Sequence, residues 1–269
     1  WISLVATDEN DVASVPFSLE VNAGKAQRQL HVLSVGINDY GDPALNLTAA
    51  VPDARLVASA LAGRAGETVE IASETVLLDG EATPDRILSE LAAIIEKARP
   101  GDTLALYFAG HGLDLDGGYY LGASGTTLDD IAGTALSFSS ISSLLEGTDL
   151  RIALFIDACH SGRAGEGLFS TNDQVVGGAI DQMPSGLVVL AAAKGREFSL
   201  EDPETAQGFF AQALAEVIVG NAYDRNGNGL VELSELFRGT KSLVSSRVRD
   251  AQAGVPEKDR LSQTPWMAR

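Results

Sequence analysis

The chain has 269 residues, of which 45% are hydrophobic and 21% charged, a composition typical of a globular domain with a sizeable core. Nineteen Lys and Arg against 37 Asp and Glu give a formal net charge of −18, which excludes nucleic acid and anionic membrane surfaces as expected partners. The apolar runs reach about ten residues, well short of the roughly 20 that a membrane-spanning helix needs.

The chain contains one cysteine, Cys159, and therefore no internal disulfide. Its histidines are His31, His111 and His160, so a Cys/His zinc site would need every candidate ligand at once. The first residue is Trp1 and no signal-like segment follows it, from which we expect a fragment or a processed product. We expect a cytoplasmic location.

Residues 1–22 alternate apolar and polar side chains in two short runs, which predicts two strands joined by a polar turn at 8–11. A small, polar stretch follows at 23–29 and is typical of a linker. We interpret residues 1–24 as the end of an upstream β-domain or a linker, and residues 25–269 as the main domain.

From residue 30 onward, strand and helix patterns alternate. Near-continuous apolar runs at 103–108, 151–156 and 186–192 are typical of central strands covered by helices on both faces. The other predicted elements, in chain order, are a strand at 30–37, a helix at 48–61, a weaker strand at 75–78, a helix capped by Thr83 and ending at 98, and helices at 206–219 and 233–249. This alternation predicts an α/β sandwich with a largely parallel central sheet.

Reactive side chains follow two of these central strands. The sequence AGHG at 109–112 comes after one strand, and DACHSG at 157–162 comes after the next. Ligands of open α/β sheets gather beyond the carboxyl ends of the strands, so His111 and Cys159 face one crevice if the two strands are neighbours. A thiol beside an imidazole is the minimal equipment for nucleophilic acyl transfer. Taken singly, each would more often be a buried small residue or a turn, but the joint occurrence favours catalysis.

These two motifs strongly resemble those of the caspase-like cysteine peptidases, most of all the metacaspase and bacterial caspase-like branch. HVLSVGINDY at 31–40 is similar to the family's first strand, and LNLTAAVPDARLVASAL at 45–61 to its first helix. GFFAQAL at 208–214 and QTPWM at 263–267 resemble late elements of bacterial members. The resemblance implies a caspase-like α/β/α sandwich over the 25–269 peptidase domain, preceded by the short β-hairpin.

The resemblance also implies roles for single residues. Cys159 would be the nucleophile, and His111 would polarise the scissile amide and protonate the leaving amine. The backbone N–H groups of Gly112 and Cys159 would form the oxyanion hole. His160 is expected to point away from the thiol.

Metacaspase-like members place two acids in the pocket for the P1 residue, the substrate residue before the scissile bond, and the matching positions here are Asp53 and Asp157. Two carboxylates in a closed pocket favour a cation, which predicts cleavage after Arg or Lys. The alternative is that Asp53 caps its helix and Asp157 ends its strand. The serine usual two residues before the family's histidine is Ala109 here, which removes some pocket polarity. Arg163 is a candidate self-cleavage site, although its loop is also typical of an ordinary mobile active-site loop.

Residues 224–235 fit the EF-hand pattern D-x-[DN]-x-[DN]-G-x5-E, in which oxygen ligands wrap a Ca²⁺ ion. The candidate ligands are Asp224, Asn226, Asn228, the Leu230 carbonyl, Glu232 and Glu235. The alternative is a glycine-rich turn with Glu235 in the first turns of the next helix. A further acidic set, which we interpret as a solvated loop, comprises Asp114, Asp116, Asp129 and Asp130.

We therefore predict a cysteine endopeptidase that cleaves polypeptides after basic residues, with upstream domains of the same chain as partners. Calcium control is a further expectation. The alternative is a catalytically silent member of the fold that serves as an interaction or calcium-binding regulatory module. An unrelated thiol hydrolase would cleave small esters or amides but not basic peptides.

Overall fold

The computed structural model describes residues 2–4, 17–19, 28–158, 177, 187–194, 197, 199–227 and 231–268, with the backbone alone at 2–4, 17–19 and 65–68. No helix within these ranges is long and apolar enough to span a membrane.

The elements in chain order are β1 (Ile2–Leu4), β2 (Phe17–Leu19), β3 (Gln29–Gly36), α1 (Ala50–Thr68), β4 (Glu70–Leu78), α2 (Pro84–Lys97), β5 (Thr103–Gly110), β6 (Gly112–Leu115), β7 (Gly118–Leu121), α3 (Ile131–Thr134), β8 (Leu136–Ser137), α4 (Phe138–Leu145), β9 (Arg151–Ala158), β10 (Leu187–Ala191), β11 (Glu201–Asp202), β12 (Gln207–Gly208), α5 (Phe209–Val219), α6 (Leu233–Ala251) and β13 (Trp266–Ala268).

A six-stranded sheet in the order β13-β10-β9-β5-β3-β4 forms the centre of the molecule. The pairs from β10 to β4 are parallel, and β13 joins the edge beside β10 in the antiparallel direction. The predicted α/β sandwich with a largely parallel sheet is therefore confirmed. The amino-terminal strands β1 and β2 pair antiparallel, as the alternation of residues 1–22 predicts.

Each face of the sheet carries its own apolar core, because successive side chains of a strand point to opposite faces. On one face, Leu106 and Leu154 pack in a cluster with the buried side chains of α2 and α4. On the other face, Tyr107 and Phe155 pack in a cluster with α1, α5 and α6. Because β5 and β9 are covered on both faces, almost all of their side chains are apolar, as the sequence indicates.

Helix α1 lies unusually close to the end of β3. A Cβ atom at Gly36 would lie 2.4 Å from the carbonyl oxygen of Ala50 and 2.7 Å from the Cβ of Ala54. Because only glycine fits this contact, the first turns of α1 are brought directly over the carboxyl end of β3. Asp53 sits in those turns.

Three predicted boundaries are wrong. Helix α1 runs to residue 68 instead of 61, and β4 begins at residue 70 instead of 75 because its first half is a half-exposed edge strand with little apolar signal. Helix α5 begins at residue 209 instead of 206, since Gln207 and Gly208 pair with β11 before the helix starts. The cap of α2 is confirmed: the Thr83 side chain accepts a hydrogen bond from the Arg86 N–H.

A second, three-stranded sheet of β6, β7 and β8 has no counterpart in the predicted elements. Its hairpin turn is Asp116-Gly117, and both residues have positive φ, 52° and 79°. This is the two-residue Asp-Gly turn that joins antiparallel strands with the correct twist. The dipeptide was therefore the signal from which this hairpin could have been predicted.

Candidate active site

The two strands that precede the reactive motifs are neighbours. Strands β5 and β9 pair in parallel, and the last two pairs of the ladder are Ala109 with Asp157 and Gly110 with Ala158. The next residues along the chain are His111 on one side and Cys159 on the other. His111 therefore sits where ligands of such sheets gather, whereas Cys159 and the following loop with His160 and Arg163 lie outside the described residues.

His111 is fully buried, and its imidazole is held by a backbone carbonyl. Its Nε2 lies 2.7 Å from the carbonyl oxygen of Leu45. Because a carbonyl oxygen only accepts hydrogen bonds, Nε2 carries the proton in this contact. In a neutral imidazole this leaves Nδ1 as the basic nitrogen. The Leu45 carbonyl thus selects the tautomer of His111, a contribution that no side-chain motif in the sequence could reveal.

Gly112, a predicted oxyanion-hole residue, is the first residue of β6. The Gly122 N–H donates to the His111 carbonyl at 2.8 Å, and this bond lies directly beside the Gly112–Leu121 pair. In an antiparallel ladder, a pair flanked by such a bond is a non-hydrogen-bonded pair. The N–H of Gly112 is consequently directed away from β7.

Asp53 and Asp157, from α1 and β9, are brought together in the interior. Their exposed fractions are 3% and 2%. A Cβ atom at Gly208 would lie 2.8 Å from Asp53 Oδ2 and 3.4 Å from Asp157 Oδ2, so both carboxylates converge on this glycine. The sequence predicts this juxtaposition, while their role in substrate binding stays a prediction.

Each of the two carboxylates accepts hydrogen bonds from groups that the sequence analysis missed. The Gly208 N–H donates to both oxygens of Asp53 at 3.0 Å. The Ser199 hydroxyl donates to Asp157 Oδ1 at 2.6 Å, and the Tyr107 hydroxyl to Asp157 Oδ2 at 3.2 Å. Asp53 therefore does not act as the cap of its own helix, since its carboxylate reaches the start of α5 instead.

Both carboxyls have raised pKa values. Burial, followed by the charge of Asp157 and that of Glu201, raises the pKa of Asp53 to about 8, against the Gly208 N–H that lowers it. Burial and the charge of Glu201 raise the pKa of Asp157 to about 6, although the hydroxyls of Ser199 and Tyr107 lower it. Two neighbouring acids with separated pKa values hold about one proton between them near pH 7.

The acidic residues after AGHG have local structural roles. The Asp114 side chain accepts from the Gly117 N–H at the hairpin turn, where Asp116 adopts positive φ. The Asp130 side chain caps α3 by accepting from the Gly133 N–H. Within the described part of the chain, no group of three or more His, Cys, Asp or Glu is arranged to hold a metal ion.

The EF-hand-like segment lies between α5 and α6, as its pattern requires, but Asn228 and Leu230 fall outside the described residues. Glu235 is 5% exposed and accepts from the N–H groups of Arg225 at 2.8 Å and Glu232 at 3.0 Å. The Glu232 side chain in turn accepts from the Glu235 N–H, which completes a capping box at the start of α6.

The structure is an α/β/α sandwich with a buried histidine at the carboxyl end of a central parallel strand, as expected of the caspase-like fold. The family model of the caspase domain matches residues 29–269. The chain belongs to the caspase domain family, a family of cysteine hydrolases that includes inactive members, and the predicted resemblance to the caspase-like peptidases is confirmed. The metacaspase branch stays a prediction.

Solved structures agree on the fold. A structural-genomics protein from Geobacter sulfurreducens shares 18% identity with a TM-score of 0.56, covering 89% of this chain and 93% of its own. The Drosophila initiator caspase Dronc shares 11% identity at a TM-score of 0.54, with 90% and 80% covered. Caspase-1 from Spodoptera frugiperda shares 12% identity at 0.55, with 90% and 86% covered. A search of curated protein sequences finds no match.

Proposed function

We propose that this chain is a cysteine endopeptidase in which Cys159 is the nucleophile and His111 the acid–base. The observation that carries the proposal is the buried His111, held by the Leu45 carbonyl at the end of β5 beside the strand that leads into Cys159. A histidine that served only as a core residue would need no position beside the strand that leads into the one cysteine of the chain.

In the proposed reaction, Nδ1 of His111 takes the proton of the Cys159 thiol, and the resulting thiolate attacks the scissile carbonyl carbon. A C–S bond forms, while the carbonyl oxygen takes up the negative charge. The N–H groups of Gly112 and Cys159 would donate to this oxyanion. The C–N bond then breaks, and His111 delivers a proton from Nδ1 to the leaving amine. Water hydrolyses the resulting thioester, releases the carboxylic acid and restores the thiol.

We further propose that Asp53 and Asp157 recognise a basic P1 side chain. With about one proton between them near neutral pH, the pair carries about one negative charge, which one Arg or Lys side chain balances. Buried charges are stable only when they are paired, so an acidic or apolar P1 side chain would leave this charge unmatched.

The test is hydrolysis of fluorogenic peptides that differ only in P1, with Arg, Lys or Asp. Activity after Arg or Lys that disappears in Cys159→Ala and in His111→Ala would support the proposal. Cleavage after Asp would reject the P1 assignment and keep the peptidase. If all peptides remain intact and a peptide electrophile fails to label Cys159, the chain is instead a silent member of the fold.

Calcium binding by residues 224–235 is a second proposal, supported by the match to the EF-hand pattern and by the place of this segment between α5 and α6. The described candidate ligands, Asp224, Asn226, Glu232 and Glu235, all offer the oxygen donors that Ca²⁺ prefers. Bound Ca²⁺ would supply charge neutralisation and join α5 to α6. Calorimetric titration with Ca²⁺ and Mg²⁺, compared with Asn226→Ala, tests it; no heat of binding to the unsubstituted chain would reject it.

A further inference from the structure

One loop holds His111 from two sides. The loop of residues 37–49, which joins β3 to α1 and is here called the β3–α1 loop, supplies both the Leu45 carbonyl and the side chain of Tyr40. The Tyr40 hydroxyl accepts a hydrogen bond from the backbone N–H of His111 at 3.2 Å. The Tyr40 and His111 rings also touch, with centroids 5.1 Å apart and planes tilted by 46°.

Two glycines make room for Tyr40 at this place. A Cβ atom at Gly110 would lie 2.7 Å from the Tyr40 hydroxyl, and one at Gly122 would lie 3.0 Å from the Tyr40 ring. Gly110 directly precedes His111 in the chain, and the Gly122 N–H donates to the His111 carbonyl. Any larger residue at either position would displace Tyr40 from His111.

Tyr40 is itself fixed by the loop that carries it. Its N–H donates to the Asn46 side chain at 2.9 Å, which ties Tyr40 to the residue after Leu45. The start of the loop is anchored at the end of β4, where the Asp79 carboxylate accepts from the N–H groups of Asn38 at 2.7 Å and Asp39 at 3.0 Å. The β3–α1 loop therefore contacts both the ring and the backbone of His111.

We propose that Tyr40 is a positioning residue for His111: its hydroxyl and ring hold the imidazole in the orientation in which Nε2 reaches the Leu45 carbonyl. The proposal rests on the proposed peptidase function only through the role of His111. Without the hydroxyl, the buried N–H of His111 loses its acceptor and the imidazole gains freedom to leave the Leu45 carbonyl. Because a displaced imidazole would weaken proton transfer more than peptide binding, the effect should fall on kcat.

The experiment compares Tyr40→Phe with Tyr223→Phe, since the Tyr223 hydroxyl is also engaged in a hydrogen bond, here as the donor to Glu216, but at the far end of α5. Hydrolysis of the P1-Arg peptide gives kcat and KM at one fixed calcium concentration. We expect Tyr40→Phe to lower kcat about five- to tenfold with KM within about twofold, and Tyr223→Phe to leave both within about twofold. Asn46→Ala, which releases Tyr40 by another route, should lower kcat in the same direction.

A second readout is independent of turnover. In NMR spectra of ¹⁵N-labelled chain, the Nε2–H of His111 should be protected from solvent exchange, and Tyr40→Phe should accelerate this exchange about tenfold while Tyr223→Phe does not. Equal kcat values and equal exchange rates in the unsubstituted chain and in Tyr40→Phe would overturn the proposal. If the unsubstituted chain cleaves no peptide, the proposed function fails while the exchange rates still decide the role of Tyr40.

Discussion

The backbone N–H of Gly208 donates to both carboxylate oxygens of Asp53, each at 3.0 Å. This contact fixes the start of α5 against the first turns of α1. It leaves a carboxylate with a raised pKa buried beside Asp157. A buried carboxylate of this kind costs folding free energy when no cation pairs with it, which is consistent with the proposed role of the pair in binding a basic side chain.

Asp53→Asn should make the chain more stable and less able to bind a basic P1 side chain. The pKa of Asp53 is raised from 3.8 to about 8 in the folded chain. Because the unfolded chain loses this proton at lower pH than the folded chain does, the free energy of unfolding falls as the pH rises from 3.8 to about 8. An amide keeps the acceptor for Gly208 and removes the charge. We expect a gain of about 1 kcal/mol or more at pH 8, which corresponds to about 2–4 °C in Tm.

Thermal unfolding at pH 8 and pH 5 measures this effect, and the gain should shrink at pH 5, where Asp53 is already protonated. In the same variant the KM for a P1-Arg peptide should rise at least tenfold at pH 8. If Asp53→Asn is less stable than the unsubstituted chain at pH 8, the carboxylate stabilises the fold instead.

The pH dependence of KM should report the two buried carboxyls. As the pH falls from 8.5 to 5.5, both acids become protonated and the pocket loses its negative charge, so the KM for a P1-Arg peptide should rise. Removing the nearby charge with Glu201→Gln should lower both pKa values and move this rise to lower pH. Ser199→Ala removes a hydrogen bond to the ionised Asp157 and should move the rise to higher pH.

These opposite shifts are measured by initial rates over that pH range. Glu204→Gln is the matched control for Glu201→Gln, because it removes the same charge from an exposed residue three positions away. Equal shifts in the two Gln variants would show that net charge alone, and not the pocket, sets the profile.

Gly208→Ala should disrupt the carboxylate pair, since the added Cβ would lie 2.8 Å from Asp53 Oδ2. We expect the KM for a P1-Arg peptide to rise about tenfold or more and the Tm to fall, because Asp53 must leave its position. Gly63→Ala is the control, because the Cβ added at this position within α1 meets no atom within 4 Å. An unchanged KM in Gly208→Ala would show that the carboxylate pair does not bind the substrate.

Asp102 should matter for stability at the opposite end of the sheet. It is 3% exposed, accepts from the N–H groups of Gln29 and Arg99 at 2.9 Å, and lies 3.6 Å from His31. Burial raises the pKa of Asp102, but these N–H groups and His31 outweigh it, so the net pKa lies below its usual value. Asp102→Asn turns one acceptor into a donor and should cost about 1–3 kcal/mol at pH 7.

Urea unfolding measures this loss, with Asp149→Asn as a charge-matched control because Asp149 is exposed nearby. A group whose folded pKa is lowered stabilises the fold above its unfolded pKa and loses this effect as the pH falls through the folded value. The difference between the unsubstituted chain and Asp102→Asn should therefore shrink below about pH 4. A difference that is constant with pH would contradict an electrostatic cause.

The sequence predicts the central sheet well because β5 and β9 are buried on both faces and therefore almost wholly apolar. It also predicts that Asp53 and Asp157 meet, through the resemblance. It misses the groups that complete the site, since the Leu45 carbonyl and the Gly208 N–H belong to the backbone, which every residue has. Tyr40 lies within a quoted motif but 71 positions before His111, and no local pattern links the two.

The parallel register of β5 with β9 has a consequence for how such chains diverge. Tyr107 and Phe155 lie in the cluster on the α1 and α5 side, and Asp157, two residues beyond Phe155, reaches Asp53 from that same side. Since a strand alternates faces with every residue, deleting one residue inside β9 would exchange the faces of all that follow and send Asp157 toward the α2 and α4 side. We therefore expect a single-residue insertion or deletion inside β9 to separate Asp157 from Asp53, whereas exchange of one apolar residue of β9 for another leaves the faces of the strand unchanged.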